Sequence, residues 1–334
     1  MRPETRLQFY SSDSSSPSPA AAHVLGVSLL GQRGSHTQPW PALQVLMPLL
    51  ANPAQQLQEY WHSSQAVRHG QFHDVRFGSD GHLLYGAISL DEALFADNRG
   101  SALQHAAEQA YRQLFSLLEA EDCRHLWRVW NYIPRINAVE HGMERYRQFN
   151  IGRHQAFADF DRPVDSSPAA CALGVADGPL SIAFLAARQA TQRIENPRQV
   201  SAFAYPQQYG PRSPTFSRAA LADNGDNIIL FISGTASIVG HRTVHPGDAA
   251  AQTRETIANI AVLLEQANRQ HQGQPYTLAT LDYRVYIRHA TDYPAVQQTL
   301  QQLIGPAMRV VFMQADICRD DLLVEIEAQA FAAR

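Results

Sequence analysis

The 334-residue chain has no lysine; all 27 of its basic residues are arginine. That absence excludes whole classes of chemistry. Without lysine there is no Schiff base, hence no pyridoxal-phosphate enzyme and no imine-forming aldolase. A Walker phosphate loop and a kinase lysine are excluded with it. Any anion must be held by arginine, whose planar fork matches a carboxylate. Cysteine is scarce as well. Cys123, Cys171 and Cys318 are odd in number and far apart, with no CxxC pair, so neither a zinc ribbon nor a disulfide framework is indicated. No apolar run is long enough to span a bilayer and Met1–Tyr10 has no apolar leader core, so a soluble, cytoplasmic protein is expected. The net charge of −4 offers no basic field for nucleic acid or an anionic membrane. Histidine is plentiful, but His69/His73 and His241/His245 lack the glutamate of an HExxH site, so no metal site is expected.

What is present points to a globular α+β protein. The 45% apolar content supports a sizeable core, and the length suggests about two domains. Residues 11–22 are rich in serine and proline and read as part of a flexible N-terminal segment, 1–22. An N-terminal α+β domain is expected over 23–200 and a second domain over 201–334. His23–Leu30, Leu83–Ile88 and Arg124–Ile133 read as strands, the last ended by Pro134. Leu103–Leu118 carries a helical apolar stripe. The second half repeats this order, with strands at Ile228–Ile232, Leu278–Ile287 and Arg309–Gln314. Its helices are Arg254–Ala267 and one opened by Pro294. Arg284-Val285-Tyr286 echoes Arg128-Val129-Trp130. A degenerate internal duplication is the reading, with two unrelated α+β domains as the alternative.

The stretch 322–328 (LLVEIEA) carries the chemistry. Apolar and polar residues alternate, so Leu322, Val324 and Ile326 face one side of a strand and Leu323, Glu325 and Glu327 the other. Two carboxylates on such a strand are either solvated at an edge, tied to arginine, or held as neutral acids in a cleft. Tyr146 and Arg153, seven apart, share one face of a helix if Gly152 does not break it. Tyr205, Tyr209, Arg212 and Arg218 lie in or beside a Pro/Gly-rich loop segment.

From Pro214 onward the chain resembles the RidA/YjgF-like fold. Thr215-Phe216-Ser217-Arg218-Ala219, Leu230-Phe231-Ile232-Ser233-Gly234, Ala251-Gln252-Thr253-Arg254 and Pro306-Ala307-Met308-Arg309 stand in that family's order. The whole chain is similar to the chorismatases, through Trp130-Asn131-Tyr132-Ile133-Pro134-Arg135-Ile136-Asn137, Gly152-Arg153-His154-Gln155-Ala156-Phe157, Glu195-Asn196-Pro197-Arg198-Gln199-Val200-Ser201-Ala202 and Gly234-Thr235-Ala236-Ser237-Ile238-Val239-Gly240-His241.

The resemblance implies two RidA/YjgF-like (chorismate-mutase-like) halves, with mixed sheets and helices packed on one face. It also implies conversion of chorismate to 3- or 4-hydroxybenzoate and pyruvate, in pigment or ubiquinone precursor supply, with no cofactor. Glu325 is the implied acid. Cys318 and Gly240 are implied determinants of aromatising over hydrolytic chemistry. Tyr146, Arg153, Tyr205, Tyr209 and Arg218 are expected at the substrate, and Arg309 at a carboxylate. Glu327 either raises the pKa of Glu325 or points to solvent. Alternatives are a chorismate hydrolase giving a dihydrodiol acid, an enamine/imine hydrolase, and a non-catalytic aromatic-carboxylate sensor. The oligomeric state is expected to be monomer or trimer.

Overall fold

The computed structural model describes residues 7–13, 20–34, 37–52, 55–96, 101–163 and 166–334. In chain order the first strands are β1 (Leu7–Asp13), β2 (Val24–Gly31), β3 (Ala42–Val45), β4 (Leu49–Leu50) and β5 (Gln56–Ser63). Then come β6 (Arg68–Phe72), β7 (Val75–Ser79), β8 (Leu83–Leu90), α1 (Ala102–Ala120) and β9 (His125–Pro134). The short pair β10 (Val139–Glu140) and β11 (Met143–Glu144) leads into α2 (Arg145–Asp159), β12 (Ala169–Val175) and β13 (Leu180–Ala187). The second half holds β14 (Gln192–Ile194), β15 (Ala219–Asp223), β16 (Asn227–Ala236), the short pair β17 (Ile238–Val239) and β18 (Arg242–Thr243), and α3 (Ala249–Gln270). It ends with β19 (Asp282–Ile287), α4 (Tyr293–Ile304), β20 (Arg309–Gln314), β21 (Asp316–Ile317) and β22 (Val324–Ala333).

Two seven-stranded sheets result, ordered β21-β12-β9-β13-β8-β7-β6 and β14-β15-β16-β22-β19-β20-β4, beside a four-stranded sheet β1-β5-β2-β3. The large sheets share one connectivity, and the duplication is plain in it. In each, two antiparallel strands are followed by a helix, a strand, a second helix and a strand parallel to the previous one. The last strand, β13 or β22, then inserts antiparallel between earlier strands. Across the insertion Arg128 stands opposite Leu185 and Trp130 opposite Ala183. The equivalent pairs in the second half are Arg284 with Glu327 and Tyr286 with Glu325. The halves also exchange edge strands across residue 200. β4 pairs with β20, and β21 pairs with β12.

Helices α1 and α2 cover the outer face of the first sheet, and α3 and α4 that of the second. The inner faces meet the four-stranded sheet around a common core. There the rings of Trp61 and Trp130 lie 6.0 Å apart, and those of Trp61 and Phe231 also 6.0 Å. Ser11, Ser12 and Asp13 are not part of a free arm: they extend β1, which pairs with β5 because Leu7 is buried and Phe9 packs on Trp61. Residues 14–19 of that expected arm lie outside the described residues. Among the described residues no helix is long and apolar enough to cross a membrane.

The helix stripes follow the sequence pattern, and the caps set their ends. The apolar positions of α1 from Leu103 to Leu118 are buried, and the Ser101 hydroxyl accepts from Gln104 N. Helix α3 starts earlier than its apolar stripe because Asp248 caps it, accepting from Ala251 N at 2.9 Å. Helix α2 runs unbroken through Gly152, which serves packing instead. A Cβ at that position would lie 2.0 Å from the Gln104 carbonyl oxygen of α1. Glycine to alanine inside a helix ordinarily stabilises by about 1 kcal/mol. Here overpacking reverses the sign, so Gly152→Ala is expected to lower stability by about 1–3 kcal/mol in urea unfolding. An unchanged or raised midpoint would contradict the close helix contact.

Candidate active site

Strand β22 lies inside its sheet, between β16 and β19, and residues 324–330 are buried on both of its faces. Val324 and Ile326 enter the core beneath α3. Glu325 and Glu327 point the other way and are 4% and 3% exposed. Room for Glu325 comes from the neighbouring strand. Between Ile232 and Thr235 the register of β16 against β22 slips, leaving Ser233-Gly234 as a bulge. The Ser233 hydroxyl locks it by donating to Ser217 O at 2.5 Å and accepting from Ala170 N at 2.9 Å. Gly234 then faces the acid: a Cβ there would sit 1.9 Å from Glu325 Oε1.

Glu325 forms part of the wall of a cavity of about 560 Å³, with Tyr146, Tyr205, Tyr209, Phe216, Arg218, Gly234, Cys318 and Arg319 among its other residues. That is room for one small organic ligand. Burial first, and the negative charge of Glu327 second, push the Glu325 carboxyl up to about 8; Arg128 and Arg218 oppose the shift. At neutral pH it is an acid carrying its proton.

Four arginines line the same cavity: Arg147 is paired with Glu144, Arg242 is exposed, and Arg218 and Arg319 carry buried nitrogens without a partner. Arg218 donates from Nη2 to Val200 O and to the Tyr205 hydroxyl, each at 2.8 Å, while its buried Nε has no partner. Arg319 lies over the Tyr209 ring at 4.0 Å and the Tyr205 ring at 5.2 Å. Its Nη1 donates to His241 O at 2.9 Å, and its buried Nη2 is unpartnered. Among the described residues no carboxylate pairs with either guanidinium, so each keeps donors for a ligand. The Tyr209 hydroxyl donates to His241 O at 2.7 Å, which steadies the ring beneath Arg319.

The other expected residues divide. Tyr146 lines the cavity, and burial raises its hydroxyl well above the ordinary value, so it stays a donor. Cys318 also lines it; burial and then the charge of Glu325 push its thiol up to about 12, which makes it a neutral neighbour of the acid and not a thiolate. Arg153 shares the helix with Tyr146 but does not line the cavity. It is buried between α2 and α1, stacked on Phe149 at 5.1 Å, with Nη2 donating to Asn150 at 2.8 Å and Nε unpartnered.

Gly240 is also off the wall, in the tight turn between β17 and β18 at φ 60°. Its N–H donates to Arg198 O and its carbonyl accepts from Val200 N, so it pins the segment whose Val200 carbonyl holds Arg218. Arg309 is remote from Glu325 and corrects the expectation for it. It stands opposite Asp282, four residues along β19 from Tyr286, the partner of Glu325. That places it about 13 Å away along the strand. It is exposed, paired with Asp282 and donating to Thr280 O at 2.8 Å, beside a separate cleft. Arg212 is exposed. Arg319 and Gly234 were not singled out from the sequence. The available signals were an arginine next to Cys318 and a Ser-Gly pair ending a strand.

The acid leaves a thermodynamic signature. The folded chain holds a proton on Glu325 between about pH 4.5, the ordinary value, and about 8, whereas the unfolded chain releases it. The contribution of this group to stability therefore falls as pH rises through that window. Glu325→Gln is expected to be more stable than the parent near pH 8 by on the order of a few kcal/mol, with the gain shrinking toward pH 4.5. Thermal unfolding at the two pH values measures this, and equal differences at both would contradict it.

The profile described as chorismatase FkbO/Hyg5-like, N-terminal, matches residues 59–186. A 3-hydroxybenzoate synthase of Streptomyces hygroscopicus is 35% identical over 297 residues, covering 86% of this chain and 85% of the relative. A chorismatase of Streptomyces rapamycinicus is 36% identical over 276 residues, 80% of each chain. A crystal structure of a chorismatase superposes with a TM-score of 0.87 at 30% identity, covering 98% of both chains. With this similarity spanning most of its length, the chain belongs to the chorismatase family.

Proposed function

We propose that this enzyme converts chorismate to 3-hydroxybenzoate, 4-hydroxybenzoate or both, with release of pyruvate. One observation carries the reading: a buried, protonated Glu325 shares a cavity with Arg218 and Arg319, two guanidinium groups without a carboxylate partner among the described residues. Chorismate has one carboxylate on its ring and one on its enolpyruvyl ether, and Arg218 and Arg319 are the arginines of the wall with buried, unpartnered nitrogens to receive them. The remaining need is a proton for the leaving fragment, and Glu325 carries one.

The sequence of events follows from charge. Arg218 and Arg319 hold the carboxylates, and the Tyr146 hydroxyl is a further donor on the wall. Glu325 gives its proton to the enolpyruvyl ether as the bond from that oxygen to the ring breaks. For the 3-hydroxy product the ring hydroxyl closes on the neighbouring carbon, and the resulting arene oxide opens with loss of a ring proton. For the 4-hydroxy product the ring loses its proton directly as enolpyruvate departs. Either way one proton is given and one is returned, and no water is consumed. Aromaticity drives the reaction, so the protein mainly orients and protonates. Cys318 fills wall space next to the acid with a neutral thiol, which supports aromatisation over attack by water. Because three sheets close on one core within a single chain, we read one copy as sufficient for the reaction.

Incubation with chorismate, with enzymatic assay of pyruvate and chromatography of ring products, tests the proposal. One aromatic acid per pyruvate is expected. A dihydrodiol acid in its place would move the chain to the hydrolytic branch, and no turnover would overturn the reading. Glu325→Gln is expected to lose on the order of 100- to 10,000-fold in kcat. Arg218→Met and Arg319→Met are each expected to raise KM by about tenfold or more, the loss of at least one charge-assisted hydrogen bond.

A further inference from the structure

We propose that Glu327 is a positioning residue for the reaction: its fixed negative charge, clamped by Arg128 and Arg284, keeps the proton on Glu325 until the substrate takes it. This rests on the reading of Glu325 as the acid. Both carboxyls lie on one face of β22, two residues and about 7 Å apart. Glu327 is saturated with donors. Oε2 accepts from Arg128 Nη2, and Oε1 accepts from Arg284 Nη1 at 3.1 Å and from the Tyr286 hydroxyl at 2.8 Å. Arg284 also binds Glu59 of β5 and contacts the Tyr132 hydroxyl at 3.2 Å. Arg128 and Arg284, with the Tyr286 hydroxyl, hold Glu327 below the ordinary carboxylate range despite its burial. Its charge is therefore permanent and its place is fixed.

The groups around Glu325 make that charge decisive. Tyr286 stands across from it on β19, Cys171 reaches it from β12, Tyr146 from α2, and Cys318 from the segment before β22. All four are neutral in this setting. Arg128 from β9 and Arg218 beside β15 favour the ionised form, and Glu327 opposes them. Arg128 is already committed to Glu327, which leaves Arg218 as the uncompensated cation. When Arg218 takes up a substrate carboxylate its pull is cancelled, while the repulsion from Glu327 remains. Substrate binding then tightens the hold on the proton at the moment it is needed.

The test is the pH profile of kcat/KM for pyruvate release. In Glu327→Gln the alkaline limb is expected to move down by about one pH unit or more, because a like charge is lost and two cations are left uncompensated. In Arg128→Met it is expected to move up, since Glu327 keeps Arg284 and Tyr286. Arg128→Lys is expected to restore the parental limb. Unmoved limbs in folded variants, checked by circular dichroism, would reduce Glu327 to a sheet-linking ion and overturn the proposal. Should Glu327→Gln fail to fold, Arg128→Met decides alone: an upward move supports the proposal, and any other result overturns it. An infrared titration without substrate separates the two readings. The carbonyl band of the protonated acid, absent in Glu325→Gln, is expected to titrate with the same shifts even if chorismate is not turned over. A band that does not move in the variants overturns this proposal whatever the enzyme does to chorismate.

Discussion

A carboxylic acid held protonated at neutral pH needs shelter from water and a like charge to offset any cation nearby. Much of the site follows from meeting that demand at Glu325. Water is kept away by placing the residue in the middle of a sheet instead of on a loop, where most binding groups lie. A sheet interior leaves no space for a glutamate, so the adjacent strand bulges and presents Gly234, the residue with no side chain to collide. The remaining opening is the cavity, and its wall carries the Arg218 and Arg319 guanidinium groups. Acid, bulge and guanidinium groups thus meet at one cavity wall.

Behind the acid lies a buried lattice of ions that joins the three sheets: Arg128 of β9, Glu327 of β22, Arg284 of β19 and Glu59 of β5. Both guanidinium groups also lie over the Trp130 ring, at 5.3 and 5.6 Å. Burying such ions costs several kcal/mol each before pairing, and apolar residues of similar size often stabilise as well or better. The lattice is therefore hard to explain as cement. Its ion pairs make it tolerable, although Arg128 Nη1 is left without a partner, and the use we propose for it is the charge it sets beside Glu325.

The fold was legible where the pattern was local. The period-two alternation at 322–328 fixed both the strand and the side that carries the carboxylates, and the stripe from Leu103 to Leu118 fixed α1. The echo of Arg128-Val129-Trp130 in Arg284-Val285-Tyr286 marked the duplication, and the two echoing arginines meet at one carboxylate. What alternation cannot supply is which strand lies beside which. Glu327 therefore read equally well as solvated or buried, and Arg309, at the far end of β20, was grouped with a site it does not reach. Arg153 shows the limit of helical spacing: it is seven residues from Tyr146 on the same helix, but it is buried, stacked on Phe149 and bonded to Asn150 of its own helix, off the cavity wall. Arg319 was missed because a loop residue has no periodicity to announce it. Serine-rich composition suggested a loose arm, and strand pairing overrode it at Ser11–Asp13.

The matched positions in the two halves carry a last implication. Where the second half places Glu325 and Glu327, the first places Ala183 and Leu185. In a ring of identical subunits every substitution is copied by symmetry, so a charge useful at one interface is imposed on all of them. Covalent fusion lifts that rule. One copy is then free to become plain hydrophobic scaffolding, as at Ala183 and Leu185, while its twin carries the paired carboxylates.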